Sequence, residues 1–147
     1  IQAFGPEARG SATSSQIIVS REPIAYPYIT CPDIMIVMSQ EAYTKFAPEL
    51  GEGGILITEE ELVKTDDLRP DIKHFSIPAT RIAEELGRRM VLNIVMMGFM
   101  TAVTDLVSPE AMRKAVKVSV PKGTEQLNLN AFDRGYEYGL EIRKREA

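Results

Sequence analysis

Thiol and imidazole chemistry is nearly absent from this 147-residue chain, which carries one cysteine, Cys31, and one histidine, His74. A lone thiol excludes an internal disulfide, a Cys-x-x-Cys redox pair and the thiolate set of an iron–sulfur cluster. A lone histidine on an expected strand beside Phe75 leaves neither a catalytic triad nor a histidine-rich metal centre to build. Cys31, before Pro32, is expected to be a small, semi-buried residue, and His74 a structural one. Basic excess is missing too: the net charge is −4, so there is no electrostatic footprint for nucleic acid or an anionic membrane. The longest apolar stretch, Met90 to Val103, is interrupted by Asn93, Gly98 and Thr101, and falls short of the roughly 20 residues of a membrane span.

What is present belongs to an ordinary globular domain: 44% apolar and 26% charged residues. The length is that of one domain, residues 1–147, able to bury about two thirds of its unfolded surface. Gln16 to Ser20 is an apolar run bounded by polar residues and is expected to form a strand. The Glu22-Pro23, Tyr26-Pro27 and Cys31-Pro32 steps impose an extended connector. Asp33 to Met38 is continuously apolar after its first residue, the pattern of a central strand covered on both faces. Ser39 stands at an N-cap, a helix follows from Gln40 to Phe46, and Pro48 ends it. Gly51-Glu52-Gly53-Gly54 turns the chain into a short strand at Ile55–Ile57, completing a βαβ unit.

Beyond a charged, irregular stretch from Glu59 to Asp71, residues 73–77 read as a strand closed by Pro78. Thr80 is expected to cap a helix with Ile82, Leu86 and Met90 on one face, and Glu84/Arg88 and Glu85/Arg89 paired on the other. Gly87 is its natural breaking point. Residues 91–106 form a helix that is apolar nearly all round, hence buried. Ser108-Pro109-Glu110 opens a third helix, and Pro121-Lys122-Gly123 turns into a last one near residues 127–145. Its expected buried stripe is Leu129, Phe132, Tyr136, Gly139 and Leu140. Strands alternating with helices imply a three-layer α/β/α domain around a mixed, mostly parallel sheet.

The segment from Gly5 to Ser15 is the best candidate site. Gly5 and Gly10 permit close backbone approach, Arg9 offers a five-donor fork, and Ser11, Thr13, Ser14 and Ser15 add hydroxyls. Such a loop suits a phosphate, a pyrophosphate or a partner's carboxylate; the plain alternative is a turn whose Arg9 pairs with Glu7 or a neighbouring chain. Met90, Met96, Met97 and Met100 crowd one apolar helix, where methionine suits either gap filling or adaptable contacts. Core and interface remain open for Asn93, Met96, Met97 and Met100. The acid runs Glu59-Glu60-Glu61 and Asp66-Asp67 read as solvated surface rather than as metal ligands.

Phe4-Gly5-Pro6-Glu7-Ala8-Arg9-Gly10-Ser11 leading to Gln16-Ile17-Ile18-Val19-Ser20, with Pro27-Tyr28-Ile29 and Ser39-Gln40 downstream, resembles the gamma subunit of 2-oxoacid:ferredoxin oxidoreductases. The likeness runs from Gly5 to about Leu106, with Ser11 where the family usually has glycine. It implies a catalytically necessary chain that is inactive alone. The complex decarboxylates a 2-oxoacid oxidatively on thiamine pyrophosphate, passes two electrons through iron–sulfur clusters to ferredoxin, and releases an acyl-coenzyme A.

The resemblance assigns no cofactor to this chain: thiamine pyrophosphate, magnesium and the clusters belong to alpha, beta and delta partners, with coenzyme A as co-substrate. It places Gly5, Arg9, Gly10 and Ser11 where coenzyme A phosphates or a partner subunit would be met, and it implies a cytoplasmic location. Relatives begin with a strand, a glycine-rich turn and a helix that this chain is expected to lack. Two alternatives accompany this reading: the small subunit of indolepyruvate oxidoreductase, and a non-redox α/β module binding coenzyme A or a nucleotide.

Overall fold

The computed structural model describes residues 2–4, 13–26 and 28–146. Strands β1 (Gln2–Phe4) and β2 (Thr13–Ser15) pair antiparallel, Gln2 opposite Ser15 and Phe4 opposite Thr13. A separate sheet, ordered β3-β4-β5, is built from β3 (Ile34–Val37), β4 (Ile55–Glu59) and β5 (Lys73–Ile77). Both of its ladders are parallel, with Ile57 opposite Ile36 on one side and Phe75 on the other. The expected antiparallel contribution is therefore confined, among the described residues, to the β1–β2 pair.

Successive residues of β4 point to opposite faces and serve different cores. Leu56 joins Val37, Tyr43, Leu50 and Val63 beneath α1 (Gln40–Phe46). Ile57 joins Phe75 and Ile77 under α2 (Ala79–Glu85) and α3 (Leu92–Thr104). Against α3 lie α4 (Pro109–Ser119), through Val116, and the long α5 (Glu125–Glu146), through Ala131 and Phe132. The three-layer expectation is met.

The helix boundaries follow local chemistry. The Ser39 hydroxyl accepts from the Ala42 N–H at 3.2 Å, and Ser108 does the same for Ala111 at 3.2 Å. Gly87, at φ +83°, ends the helix α2 region. Because α2 stops at Glu85, Arg88 and Arg89 leave the helical lattice; Glu85 pairs instead with Arg134 of α5 at 2.8 Å. Met90 falls in a 3₁₀ turn and is 84% exposed, rather than on a face with Ile82. At the C-terminal end of α3, Arg143 donates to the Ala102 carbonyl at 3.0 Å and pairs with Asp105, placing a cation on the negative end of the helix dipole.

The contact between α3 and α5 is close. A Cβ on Gly98 would lie 2.0 Å from the Phe132 carbonyl oxygen, and one on Gly135 would lie 2.0 Å from that of Val95. The two helices thus touch backbone to backbone through reciprocal glycines. Of the expected stripe, Phe132 and Gly139 are buried and Leu129 and Tyr136 pack partly buried against the core, while the close approach adds Asn128, Ala131 and Gly135 to the buried set.

The expected strand at Gln16–Ser20 does not form. Pairing stops at Ser15, and Ile17 and Val19 are 78% and 74% exposed. An apolar run becomes a strand only where another strand offers a ladder, and among the described residues none pairs with this one in a ladder. Cys31 is likewise exposed rather than semi-buried, next to Gly51.

Candidate functional site

In open α/β sheets, ligand chemistry collects beyond the carboxyl ends of the strands. Here those ends are followed by Ser39-Gln40 after β3, Glu60-Glu61 after β4, and Pro78 after β5. The Gln40 carboxamide behaves as a strand segment, donating to the Lys64 carbonyl at 3.2 Å and accepting from the Lys64 N–H at 2.7 Å. Tyr43 donates its hydroxyl to Asp67 at 2.9 Å. Burial, reinforced by that hydrogen bond and by the charges of Asp67 and Asp66, pushes the phenol up to about 12. Gln40 and Tyr43 together fasten residues 60–67 to α1. Beside this junction lies an open depression of about 550 Å³ lined by Gln40, Glu61, Leu62, Lys64, Asp66 and Asp67.

Glu59 corrects the reading of its acid run as solvated surface. It is fully buried at the end of the central strand. One carboxylate oxygen accepts from the Glu61 and Leu62 N–H groups at 2.8 and 2.7 Å, and the other from the Thr80 N–H at 3.0 Å. A carboxylate arriving from β4 thus serves the first turn of α2, the role expected of Thr80 itself. The helix begins two residues earlier, with Pro78 at the N-cap position, and the Thr80 hydroxyl has no hydrogen-bond partner. Glu61 and Glu60 are exposed, and Glu61 is held by Arg81 at 3.0 Å. Nothing local in the sequence separates Glu59 from its two neighbours; its burial follows from being the last residue of a strand flanked on both sides.

His74 lies on the α1 side of the sheet, its Nε2 2.9 Å from the Thr58 hydroxyl, and burial pushes its pKa below the ordinary histidine value. Among the described residues its side chain has the Thr58 hydroxyl as hydrogen-bond partner and no titratable group within hydrogen-bond reach. Among the described residues, no group of three His, Cys, Asp or Glu side chains is gathered as a metal would need. No helix among them is long and apolar enough to cross a membrane.

Of the residues singled out from sequence, Gly5, Arg9, Gly10 and Ser11 lie outside the described residues. The strands whose ends that segment joins are paired at Phe4 and Thr13. The methionine group divides. Met96 is 2% exposed and packed with Val95 and Phe99 in the main core, so it is not available to another chain. Met97 and Met100 are half-buried at the margin of that core, and Asn93 is exposed in the first turn of α3.

Comparisons with known proteins bear on what this framework does. The family described as pyruvate ferredoxin/flavodoxin oxidoreductase matches residues 1–138. The 2-oxoglutarate synthase subunit KorC of Methanocaldococcus jannaschii is 48% identical over 143 residues, covering 96% of this chain and 76% of that protein. The pyruvate synthase subunit PorC of Methanothermobacter thermautotrophicus is 30% identical, over 91% of this chain and 74% of its own. The ketoisovalerate oxidoreductase subunit VorA of the same organism is 29% identical over 95% of this chain, which spans only 29% of that longer protein. Among solved structures, the keto/oxoacid ferredoxin oxidoreductase gamma subunit of Geobacter sulfurreducens superposes with a TM-score of 0.77 at 35% identity. It covers 96% of this chain and 79% of its own.

Proposed function

The chain belongs to the pyruvate ferredoxin/flavodoxin oxidoreductase family and is a gamma subunit of a 2-oxoacid:ferredoxin oxidoreductase, and from that premise we propose that its complex is a cytoplasmic 2-oxoglutarate synthase. The observation that carries the choice of substrate is the 48% identity to KorC, against 30% to PorC and 29% to VorA. The complex would convert 2-oxoglutarate and coenzyme A to carbon dioxide and succinyl-coenzyme A, delivering the two released electrons to ferredoxin.

The bond-making steps belong to other chains in this reading. One cysteine cannot ligate a four-thiolate cluster. Thiamine pyrophosphate, with its metal, supplies the carbanion stabilisation that decarboxylation needs, and the proposal places it on the alpha and beta partners, with the clusters on delta. This chain's own contribution would be to complete the assembly and to meet coenzyme A. Arg9 carries the only cation between Gly5 and Ser15, and its fork matches a phosphate bidentately; Gly5, Gly10 and Ser11 would offer backbone and hydroxyl donors beside it. Asn93, Met97 and Met100 would form the part of the α3 face that reaches a partner.

The test is substrate selectivity of the assembled complex. The expected result is a kcat/KM for 2-oxoglutarate at least tenfold above that for pyruvate or a branched 2-oxoacid. Preference for pyruvate would overturn the choice of substrate. In the same complex, Arg9→Ala is expected to raise the KM for coenzyme A about tenfold, from loss of roughly 1.5–3 kcal/mol for a charged hydrogen bond. Decarboxylation before acyl transfer should remain unchanged.

A further inference from the structure

The two edges of the parallel sheet are built differently. The outer edge of β5 carries Lys73 and His74, polar and charged residues of the kind that keep an edge from pairing. The outer edge of β3 has no such guard: from Ile34 to Met38 it is apolar without interruption, and Ile36 and Met38 are 37% and 39% exposed. Among the described residues no strand pairs with that edge, although a run of this composition is the pattern of a strand flanked on both sides. Gln16–Ser20 is its counterpart, an apolar run that continues from β2 with no ladder of its own, Ile17 and Val19 being 78% and 74% exposed. The chain thus holds an unfilled ladder and a strand-forming run without one.

Charge decides how the two would meet. Arg21 follows the apolar run and Asp33 precedes β3; both are exposed, and neither has an ion-pair partner among the described residues. An antiparallel strand in the register that sets Arg21 against Asp33 also sets Val19 against Met35, Ile18 against Ile36 and Ile17 against Val37, with opposite residues on one face of the sheet. A parallel strand laid on the same apolar residues would carry Arg21 past Met38, away from Asp33. Within one chain the segment is held elsewhere: the Gln16 carboxamide accepts from the Ile29 N–H at 3.1 Å and donates to the Ile29 carbonyl at 3.5 Å. In the register above Gln16 lies against Met38, beyond the far end of β3, so only the β3 of another copy can be met with that tie intact. We propose that Gln16–Arg21 of one copy adds as an antiparallel strand to the open edge of β3 in a second copy, and that the exchange is reciprocal, giving a closed two-fold dimer. The result is a parallel sheet with an antiparallel edge strand, a common form of mixed sheet. The inference is independent of the choice of 2-oxoacid and of the Arg9 assignment.

The experiment measures self-association of the natural full-length protein by sedimentation velocity. The samples are the wild type, Arg21→Asp, Asp33→Arg, an equimolar mixture of these two variants, and a chain carrying both changes. Each single variant places like charges together at both contacts of its own dimer, so its dimer Kd is expected to rise about tenfold or more. In the mixture, a two-fold dimer of unlike copies has opposite charges at both contacts, and its Kd is expected to return to within about threefold of the wild type. Both side chains are exposed, so the unfolding temperatures should stay at the wild-type value. A wild type that is monomeric at every concentration overturns the proposal, as do single variants that associate as tightly as the wild type. So does a mixture no tighter than its components. Recovery of the wild-type hydrodynamic behaviour only when both changes share one chain assigns the segment to the β3 of its own chain and overturns the second copy. None of these outcomes bears on the gamma-subunit reading, which substrate selectivity of the complex tests separately.

Discussion

Residues 92–146 and residues 13–33 are both rich in apolar side chains, and they end in opposite states. In the first region, α3 and α5 approach until a methyl group no longer fits between Gly98 and Phe132, and Phe99 and Phe132 are fully excluded from water. Each such phenylalanine contributes about 1.5–3 kcal/mol by burial. In the second, Ile17 and Val19 remain more than 70% exposed. The difference lies in what the neighbouring residues allow. Glycines let one helix act as the other's partner within the chain, while residues 16–30 offer a backbone without a ladder among the described residues. Hydrophobicity sets what can be buried; local geometry sets what is buried within the chain and what is left for contacts beyond it.

The sharpest way to break this comparison is to change one side chain in each region. Gly98→Ala or Gly135→Ala should destabilise the chain by about 3 kcal/mol or more, because the added carbon meets backbone that cannot turn aside. Val19→Ser, in the exposed segment, should shift stability by less than about 0.5 kcal/mol. Denaturant titration of the three variants measures both. A small loss at Gly98 would mean that α3 and α5 can slide apart cheaply.

Glu59→Gln probes the junction between the sheet and α2. The amide retains one acceptor oxygen but turns an NH₂ group toward backbone N–H donors, leaving buried donors without a partner. A loss of about 2 kcal/mol is expected, again with denaturant as the probe, and Glu61→Gln, on the exposed side of the same run, should lose less than half of that.

The smallest effect concerns His74. Its pKa is held below about 6.5 in the folded chain by burial, whereas the unfolded chain titrates near that value. The unfolded state therefore binds the proton first as pH falls, so the contribution is fully present above pH ~6.5 and is lost as the pH drops through the folded value. Unfolding midpoints measured from pH 7.5 to 5 should fall more steeply in the wild type than in His74→Gln. Equal slopes would place His74 in contact with water.

Much of this organisation is legible in the sequence where the determinant is local. Ser39, Pro48, Ser108-Pro109 and Gly87 mark boundaries through their own backbone chemistry, and each element they delimit forms within a residue or two of the expected place. Legibility fails where the determinant lies elsewhere in the chain. Thr80 is displaced as a cap by Glu59, 21 residues upstream in β4. On α5, Asn128, Ala131 and Gly135 are buried beside the expected Phe132 and Gly139 where the helix meets α3, and Gln16–Ser20 lacks the strand its composition anticipates. The candidate site divides in the same way. The family was readable from contiguous residues and the Arg9 segment lies outside the described residues, whereas burial of Met96 and exposure of Tyr26 and Tyr28 are products of packing.

The central claim is that this chain completes an enzyme whose chemistry resides on its partners. It is tested most directly by measuring dye reduction with 2-oxoglutarate and coenzyme A in three samples: the isolated chain, the partner subunits alone, and the two recombined. The account predicts full turnover only in the third sample, with the isolated chain inactive. Turnover by the isolated chain, or full turnover by the partners without it, would contradict the account.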